Sequence, residues 1–222
     1  MSDIAKAWDS VSKVAYGETK KEVNDSYTEW AKKYDEELDT LGYQTPENLV
    51  RELLKHSKNT ETTTILDVGA GTVKCGELLK NVGYKGIMDA LEINGAMLEV
   101  ARSKNIYRNH VEMGVFPDKE IPLEHGLYDG VVCAGSMLHG HMEAECVAPL
   151  IQVLKPGGVA VWNTRDTEKE KEYREKVARS VEQLVKSGEI EKIDVKAMQH
   201  YKTNCRETGD KMMAIVYVYR KL

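Results

Sequence analysis

The sequence predicts an α/β fold built on a doubly wound, mostly parallel sheet with helices on both faces. Three observations lead there. Apolar runs alternate with segments of helical periodicity from about residue 63 to 187, which is the order of a chain that crosses over between parallel strands. The first run, Ile65-Leu66-Asp67-Val68, ends in Gly69-Ala70-Gly71, and a helical pattern from Cys75 to Leu79 follows. A later run, Asp129 to Ala134, is apolar in the way of a strand covered on both faces.

The elements follow in order. Residues 3 to 16 carry a short apolar face of Ile4, Trp8, Val11 and Ala15. The polar character of the first twenty residues makes this a loose helix or a partly disordered one. A stronger helix is expected over roughly 20 to 40, because Tyr27, Trp30, Ala31, Tyr34 and Leu38 fall on one face. Thr45-Pro46-Glu47 opens another, with proline at the first helical position and Leu49, Val50, Leu53 and Leu54 inward. After the first strand and its helix comes Gly86-Ile87-Met88-Asp89-Ala90-Leu91, closed by Glu92. Asn94 then has the character of an N-cap ahead of Met97, Leu98 and Ala101.

A third strand is expected to end before Met113 to Phe116, and a fourth covers Asp129 to Ala134. A helix follows over about 143 to 154, then a fifth strand from Gly158 to Thr164. Residues 167 to 187 are rich in Lys and Glu at spacings of three and four, with Tyr173, Val177, Val181, Leu184 and Val185 as the apolar stripe. Those charges read as a solvated face. Two β-like segments, near 189 to 201 and 211 to 220, close the chain.

Composition narrows the function classes. The 222 residues suit one domain spanning 1–222 with a full core. A net charge of −5 argues against a broad nucleic-acid footprint, which needs clustered positive charge. Cys75, Cys133, Cys146 and Cys205 show neither C-x-x-C spacing nor a metal pattern, so no metal site is expected and the thiols read as reduced. No apolar stretch has the length of a signal peptide or a membrane span. A cytoplasmic location without a membrane partner is the expectation, and the oligomeric state stays open.

The glycine turn carries the chemistry. Glycines admit close backbone approach, and a helix start offers unpaired N–H donors to a polar ligand. A dinucleotide-binding turn would need a third glycine where Lys74 stands. The alternative is a nucleoside-binding turn with an acid two residues before the first glycine, as Asp67 stands before Gly69. Glu92, about twenty residues on at the tip of the next strand, is placed to accept hydrogen bonds from ribose hydroxyls. Asp89 is a rival carboxylate inside the apolar run.

These residues resemble the class I S-adenosylmethionine-dependent methyltransferases. The likeness rests on Leu66-Asp67-Val68-Gly69-Ala70-Gly71-Thr72, on Leu91-Glu92-Ile93-Asn94 with Met97-Leu98, and on Leu154-Lys155-Pro156-Gly157-Gly158. A closer resemblance is to the methyltransferase-like family of the Williams–Beuren syndrome region, through Tyr27-Thr28-Glu29-Trp30-Ala31-Lys32-Lys33-Tyr34-Asp35, Leu41-Gly42-Tyr43 and Ile215 to Lys221. It implies a Rossmann-like seven-stranded, mostly parallel sheet with an antiparallel C-terminal strand, and an N-terminal helical lid over about 1–60. S-adenosylmethionine is the implied cofactor. Asp67, Gly69 and Gly71 would hold its methionine end, Glu92 the ribose, and Gly114 and Val115 the adenine. Ala70, Ile93, Met97 and Ala134 would also contact the cofactor, and Trp30 and Tyr34 would cover the site. The family usually has glycine where this chain has Val73, so the valine is expected to crowd the methionine end or open the turn.

Methyl transfer needs alignment and a dry pocket, and a base only where the acceptor must lose a proton. His139, after the fourth strand, is the candidate base, with His141 the alternative. Trp162, Asn163 and Arg165 close the fifth strand, where Trp162 reads as core and the other two as facing an acceptor. Without a basic groove the acceptor reads as a small molecule. The competing reading is a catalytically silent binding or scaffold protein that kept the fold.

Overall fold

The computed structural model describes residues 2–15, 17, 19–206 and 208–222. Its strands are β1 (Thr64–Val68), β2 (Ile87–Glu92), β3 (His110–Glu112), β4 (Tyr128–Cys133), β5 (Leu154–Asp166), β6 (Ile190–Asn204) and β7 (Lys211–Lys221). They form a 7-stranded sheet in the order β3-β2-β1-β4-β5-β7-β6. Neighbours from β3 to β5 pair parallel, while β7 is antiparallel to both β5 and β6. Only β7 therefore runs against the rest. The strand order reverses between β1 and β4, which is where open sheets of this kind hold ligands, beyond the carboxyl ends of the strands.

The helices are α1 (Asp3–Ala15), α2 (Lys20–Trp30), α3 (Tyr34–Leu41), α4 (Thr45–His56), α5 (Lys74–Asn81), α6 (Gly95–Ser103), α7 (Val147–Gln152) and α8 (Lys171–Lys186). One face of the sheet packs with α7 and α8 through Trp162, Tyr128, Val177 and Leu150. The other packs with α4, α5 and α6 through Leu49, Leu53, Leu79 and Leu98. All five residues of β1 are buried, because both faces are covered. A third cluster unites α1, α2 and α3 with Tyr201 of β6 and Met212 of β7. The N-terminal helices thus divide: α4 belongs to the sheet core, and α1–α3 form a separate layer.

Two local readings are corrected, and one rival carboxylate is set aside. The helix expected over 20 to 40 is two helices, broken at 31–33. Lys33 N–H turns back to the Trp30 carbonyl at 2.9 Å, and Asp35, Glu36 and Glu37 restart the helix where its dipole favours acids. Trp30 Nε1 donates to Glu37 Oε2 at 2.7 Å across the break. The fifth strand starts earlier than expected, at Leu154, but its pairing to β4 shifts between Tyr128 and Gly130. Pro156 offers no N–H there, and Gly157 takes a φ of 83° that a regular strand excludes. Asp89 is not a ligand acid. It is 1% exposed and accepts from Arg108 Nη2 at 2.5 Å, Tyr128 Oη at 2.9 Å and Asn109 N at 3.1 Å. Those donors compensate its burial on the sheet.

Val73 resolves differently from the expected crowding. It takes a φ of 81°, a strained value for a β-branched residue. Its side chain is fully buried among the α4–α5 core residues rather than in the turn's open side. Burial of the isopropyl group, worth about 1.5–3 kcal/mol, offsets a backbone strain of ~1–3 kcal/mol. Val73→Ala keeps the strain and loses the methyls, so stability should fall by about 1–2 kcal/mol. Val73→Gly loses the same methyls but accepts the left-handed backbone. It should be at least as stable as the alanine variant, reversing the usual order. Urea denaturation of both variants checks this; a glycine variant clearly weaker than the alanine one would contradict it.

Candidate active site

The turn after β1 is built on β2. Gly69 N–H donates to the Leu91 carbonyl at 2.8 Å, and Ala70 N–H reaches the same oxygen at 3.2 Å. Gly71 N–H donates to Glu92 Oε2 at 2.8 Å. These three N–H groups therefore point into the protein rather than toward a ligand. The glycines act through their missing side chains. A Cβ on Gly69 would fall 2.0 Å from Ser136 Oγ, so only glycine lets this turn meet the loop after β4. A Cβ on Gly71 would meet only Tyr34, at 4.0 Å, so its bare backbone floors an open space.

That space is a cleft of about 140 Å³ that opens to solvent on one side. Gly69, Gly71, Glu92, Ile93, Met97, Gly114, Val115, Ala134 and Tyr34 line it. Glu92 is 7% exposed, and its second oxygen accepts from Asn94 N at 2.8 Å. Burial pushes its carboxyl up, and the N–H donors of Asn94 and Gly71 pull it back. Two backbone bonds leave lone pairs on both oxygens for a diol.

Four expected residues stand elsewhere. Trp30 is buried in the α1–α3 cluster. Ala70 packs into the sheet core. Asp67 lies under the turn, where its Oδ2 accepts from Tyr107 Oη at 2.5 Å, and burial raises its carboxyl to about 7. The ring of His139 is exposed and does not line the cleft, while its N–H donates to Glu170 Oε2 at 3.1 Å. The four form no part of the cleft wall because their side chains alternate or turn away from it.

His141 does line the cleft. Its Nδ1 meets the His139 carbonyl at 3.2 Å, so Nδ1 carries the proton. Nε2 is then the acceptor, and the Tyr27 hydroxyl donates to it at 3.1 Å. Burial, aided by the Arg165 charge, lowers the imidazole to about 4. His141 is thus neutral, and its one ring lone pair, on Nε2, is engaged by the Tyr27 hydroxyl.

Polar latches hold α2 and α3 over the cleft. Asn94 caps α6 by accepting from Met97 N at 3.0 Å, and its Nδ2 donates to Asn24 O at 2.8 Å and Thr28 Oγ1 at 2.9 Å on α2. Asp35 of α3 accepts from Thr72 Oγ1 and from Lys104 Nζ, each at 2.6 Å. Lys20 pairs with Glu143 at 2.5 Å across the mouth. Sequence reading missed Tyr27 as a wall residue, and it gave Ser136 and Phe116 no role of their own although both fall in the strand-end segments where a ligand is expected. The aromatic stripe of α2 was the available signal for Tyr27, since its face was legible but its neighbour was not. Among the described residues no group of His, Cys, Asp and Glu is arranged to hold a metal, and no helix is long and apolar enough to cross a membrane.

Residues 66–162 match the family described as a methyltransferase domain. With the strand order of the sheet, the match gives this part of the chain a Rossmann-like methyltransferase fold. Among curated proteins the chain is similar to human methyltransferase-like protein 27, at 26% identity over 165 residues, 73% of this chain and 65% of that one. The chain thus spans about two-thirds, slightly less, of that relative's length. Two solved structures share the fold. The cyclase SpnF superposes with a TM-score of 0.66 at 12% identity, covering 91% of this chain and 97% of that one. Geranyl diphosphate C-methyltransferase from Streptomyces coelicolor, in complex with S-adenosyl-L-homocysteine, gives 0.56 at 10%, covering 79% and 76%.

Asn94→Ala removes a helix cap and the anchor of α2 together, so it should cost about 1–2 kcal/mol, measured by denaturant unfolding. The contribution of His141 to stability should also fall as pH drops from about 6.5 to about 4. In that window the unfolded chain binds a proton at His141 that the folded chain refuses. His141→Gln should flatten the fall of the thermal midpoint with acid; an unchanged slope would count against a buried neutral imidazole.

Proposed function

We propose that this cleft binds S-adenosylmethionine and that the protein moves its methyl group to a small-molecule nucleophile. When bound, the sulfonium supplies a methyl group that is already activated. The observation that carries the reading is Glu92, a buried carboxylate at the tip of β2, fixed by Gly71 and Asn94 N–H at 2.8 Å each and open to the cleft. A ribose diol needs such a fixed pair of acceptors. Gly114 and Val115, beside Ile93 and Phe116, offer a flat apolar slot for a purine. Gly69 and Gly71 leave room for the methionine end, and Tyr34 with Tyr27 shields the centre from water. Asp67 supports the turn from beneath. His141 is the better-placed group to take a proton from an acceptor, in preference to His139, because it lines the cleft and its Nε2 comes free when the Tyr27 hydroxyl turns away. Its low basicity suits an acceptor that arrives already deprotonated or loses its proton late.

That low basicity also favours a second reading, a protein that binds the nucleoside but transfers nothing. The fold alone does not choose, since a cyclase shares it. Labelled cofactor incubated with fractionated cell extract separates the two: an acceptor becomes labelled only if transfer occurs.

Glu92→Ala should weaken S-adenosylmethionine binding by about ten-fold or more, as loss of charged hydrogen bonds implies. Isothermal titration calorimetry checks it, with circular dichroism confirming the fold. An unchanged affinity would remove the ribose role.

A further inference from the structure

The end of β5 holds a cation, Arg165, that hydrogen-bonds Tyr201 but has no carboxylate counter-ion among the described residues. Arg165 is 8% exposed, and its Nε is buried with no hydrogen-bond partner among the described residues. Its main electrostatic neighbours are the hydroxyls of Tyr201, Tyr27 and Tyr43 and the carboxylate of Glu170. Glu170 does not pair with it, since its Oε2 is turned to the N–H of His139 at 3.1 Å. A buried guanidinium in this state is costly unless something anionic completes it. Two residues earlier on the same face, Asn163 Nδ2 is also buried without a partner, while its Oδ1 accepts from Gly135 N at 2.8 Å. Both unused groups are donors.

Arg165 stands between two spaces. On one side is an inner chamber of about 20 Å³, lined by Tyr27, Tyr34, Tyr43, Gly135, His200 and Arg165. That is room for about one water, or for one small polar group. Tyr27, Tyr34 and Gly135 also line the cleft, so they form the wall that chamber and cleft share. On the other side a vestibule of about 330 Å³ opens beneath α1, lined by Trp8, Asp9, Ser12, Arg165 and Arg206. In the vestibule Arg206 is already paired with Asp9. The unpaired charge is Arg165 alone.

We propose that Arg165 is the binding site for the carboxylate of the acceptor, a small carboxylic acid whose nucleophilic end reaches past Tyr27 and Gly135 toward the cleft. The inference deepens the methyl-transfer reading and rests on it for the acceptor's role, not for the anion site itself. A guanidinium presents a planar fork that matches a carboxylate with two parallel bonds. One monoanion neutralises one buried cation; a phosphate dianion would need a second cation that the chamber lacks. The acid reaches the site from the α1 side, opposite the nucleoside.

The test uses the full chain saturated with S-adenosyl-L-homocysteine, titrated with glycine, β-alanine and 3-mercaptopropionate, and with glycinamide and inorganic phosphate as comparators. At least one of the acids should bind and raise the thermal midpoint, and glycinamide should bind at least about ten-fold more weakly, since the charged contact is missing. Arg165→Met should lose the acids by a similar factor while holding the nucleoside as well as the parent does. Without ligand it should melt higher than the parent, because an uncompensated charge has been replaced by an apolar chain. Arg165→Lys, which keeps the charge without the fork, should bind the acids with intermediate strength, and it serves if the methionine variant misfolds. Acids that fail to bind the parent, that bind Arg165→Met equally, or that are outcompeted by phosphate would overturn the proposal. Failure of S-adenosyl-L-homocysteine to bind would instead strike the nucleoside reading, and the acid titration without it still reports on Arg165.

Discussion

The first turn of the sheet hangs on the strand beside it. Leu91 lends its carbonyl to the N–H groups of Gly69 and Ala70, and Glu92 lends a carboxylate oxygen to that of Gly71. Glu92 is therefore both a wall of the cleft and the strut of the turn that floors it. Moving β2 would move both. The backbone donors are consumed inside the protein, so the ligand side of the turn is defined by absence of side chain at Gly71 and by close packing at Gly69 against Ser136. A buried acid with two fixed donors and spare lone pairs is a preorganised acceptor pair, and it keeps its geometry with nothing bound.

The layer above is held in another way. α1–α3 share an apolar cluster with the hairpin strands, but over the cleft itself the contacts are polar. Asn94, Asp35 and Lys20 tie the helices to α6, to the turn and to the loop carrying Glu143. Polar latches exchange with water at small net free energy, while an apolar seal would have to expose surface to open. The arrangement suits a cover that opens without unfolding its own core.

Arg165 sets the charge of the interior. Its field and the local burial hold His141 at about 4 and push His200 down as well. Both imidazoles are therefore lone-pair acceptors, and Tyr27 donates to one of them. The chamber end of the cleft is a neutral, aromatic-walled space with a single cation at its back. The proposed nucleoside and acid sites thus differ in chemistry and lie on opposite sides of Tyr27.

By itself the sequence determined the alternating βα order, the glycine turn, the acid at the tip of β2 and the cap at Asn94. Each of these is a local signal: an apolar period, a backbone conformation that only certain residues accept, or a spacing of a few residues. Tertiary structure alone decided which way side chains near those signals face. Asp67 and Ala70 lie inside the turn motif yet point beneath it, and Trp30 lies on the covering stripe yet packs into the helical layer. His139 and His141 are two residues apart, and only the second meets Tyr27, 114 positions away in sequence. Val73 reads as an obstacle, but its side chain enters the core because the left-handed backbone at that position turns it away from the cleft. That no carboxylate among the described residues pairs with Arg165 is equally invisible in one dimension. Pairing depends on distances between segments that the order of residues does not contain.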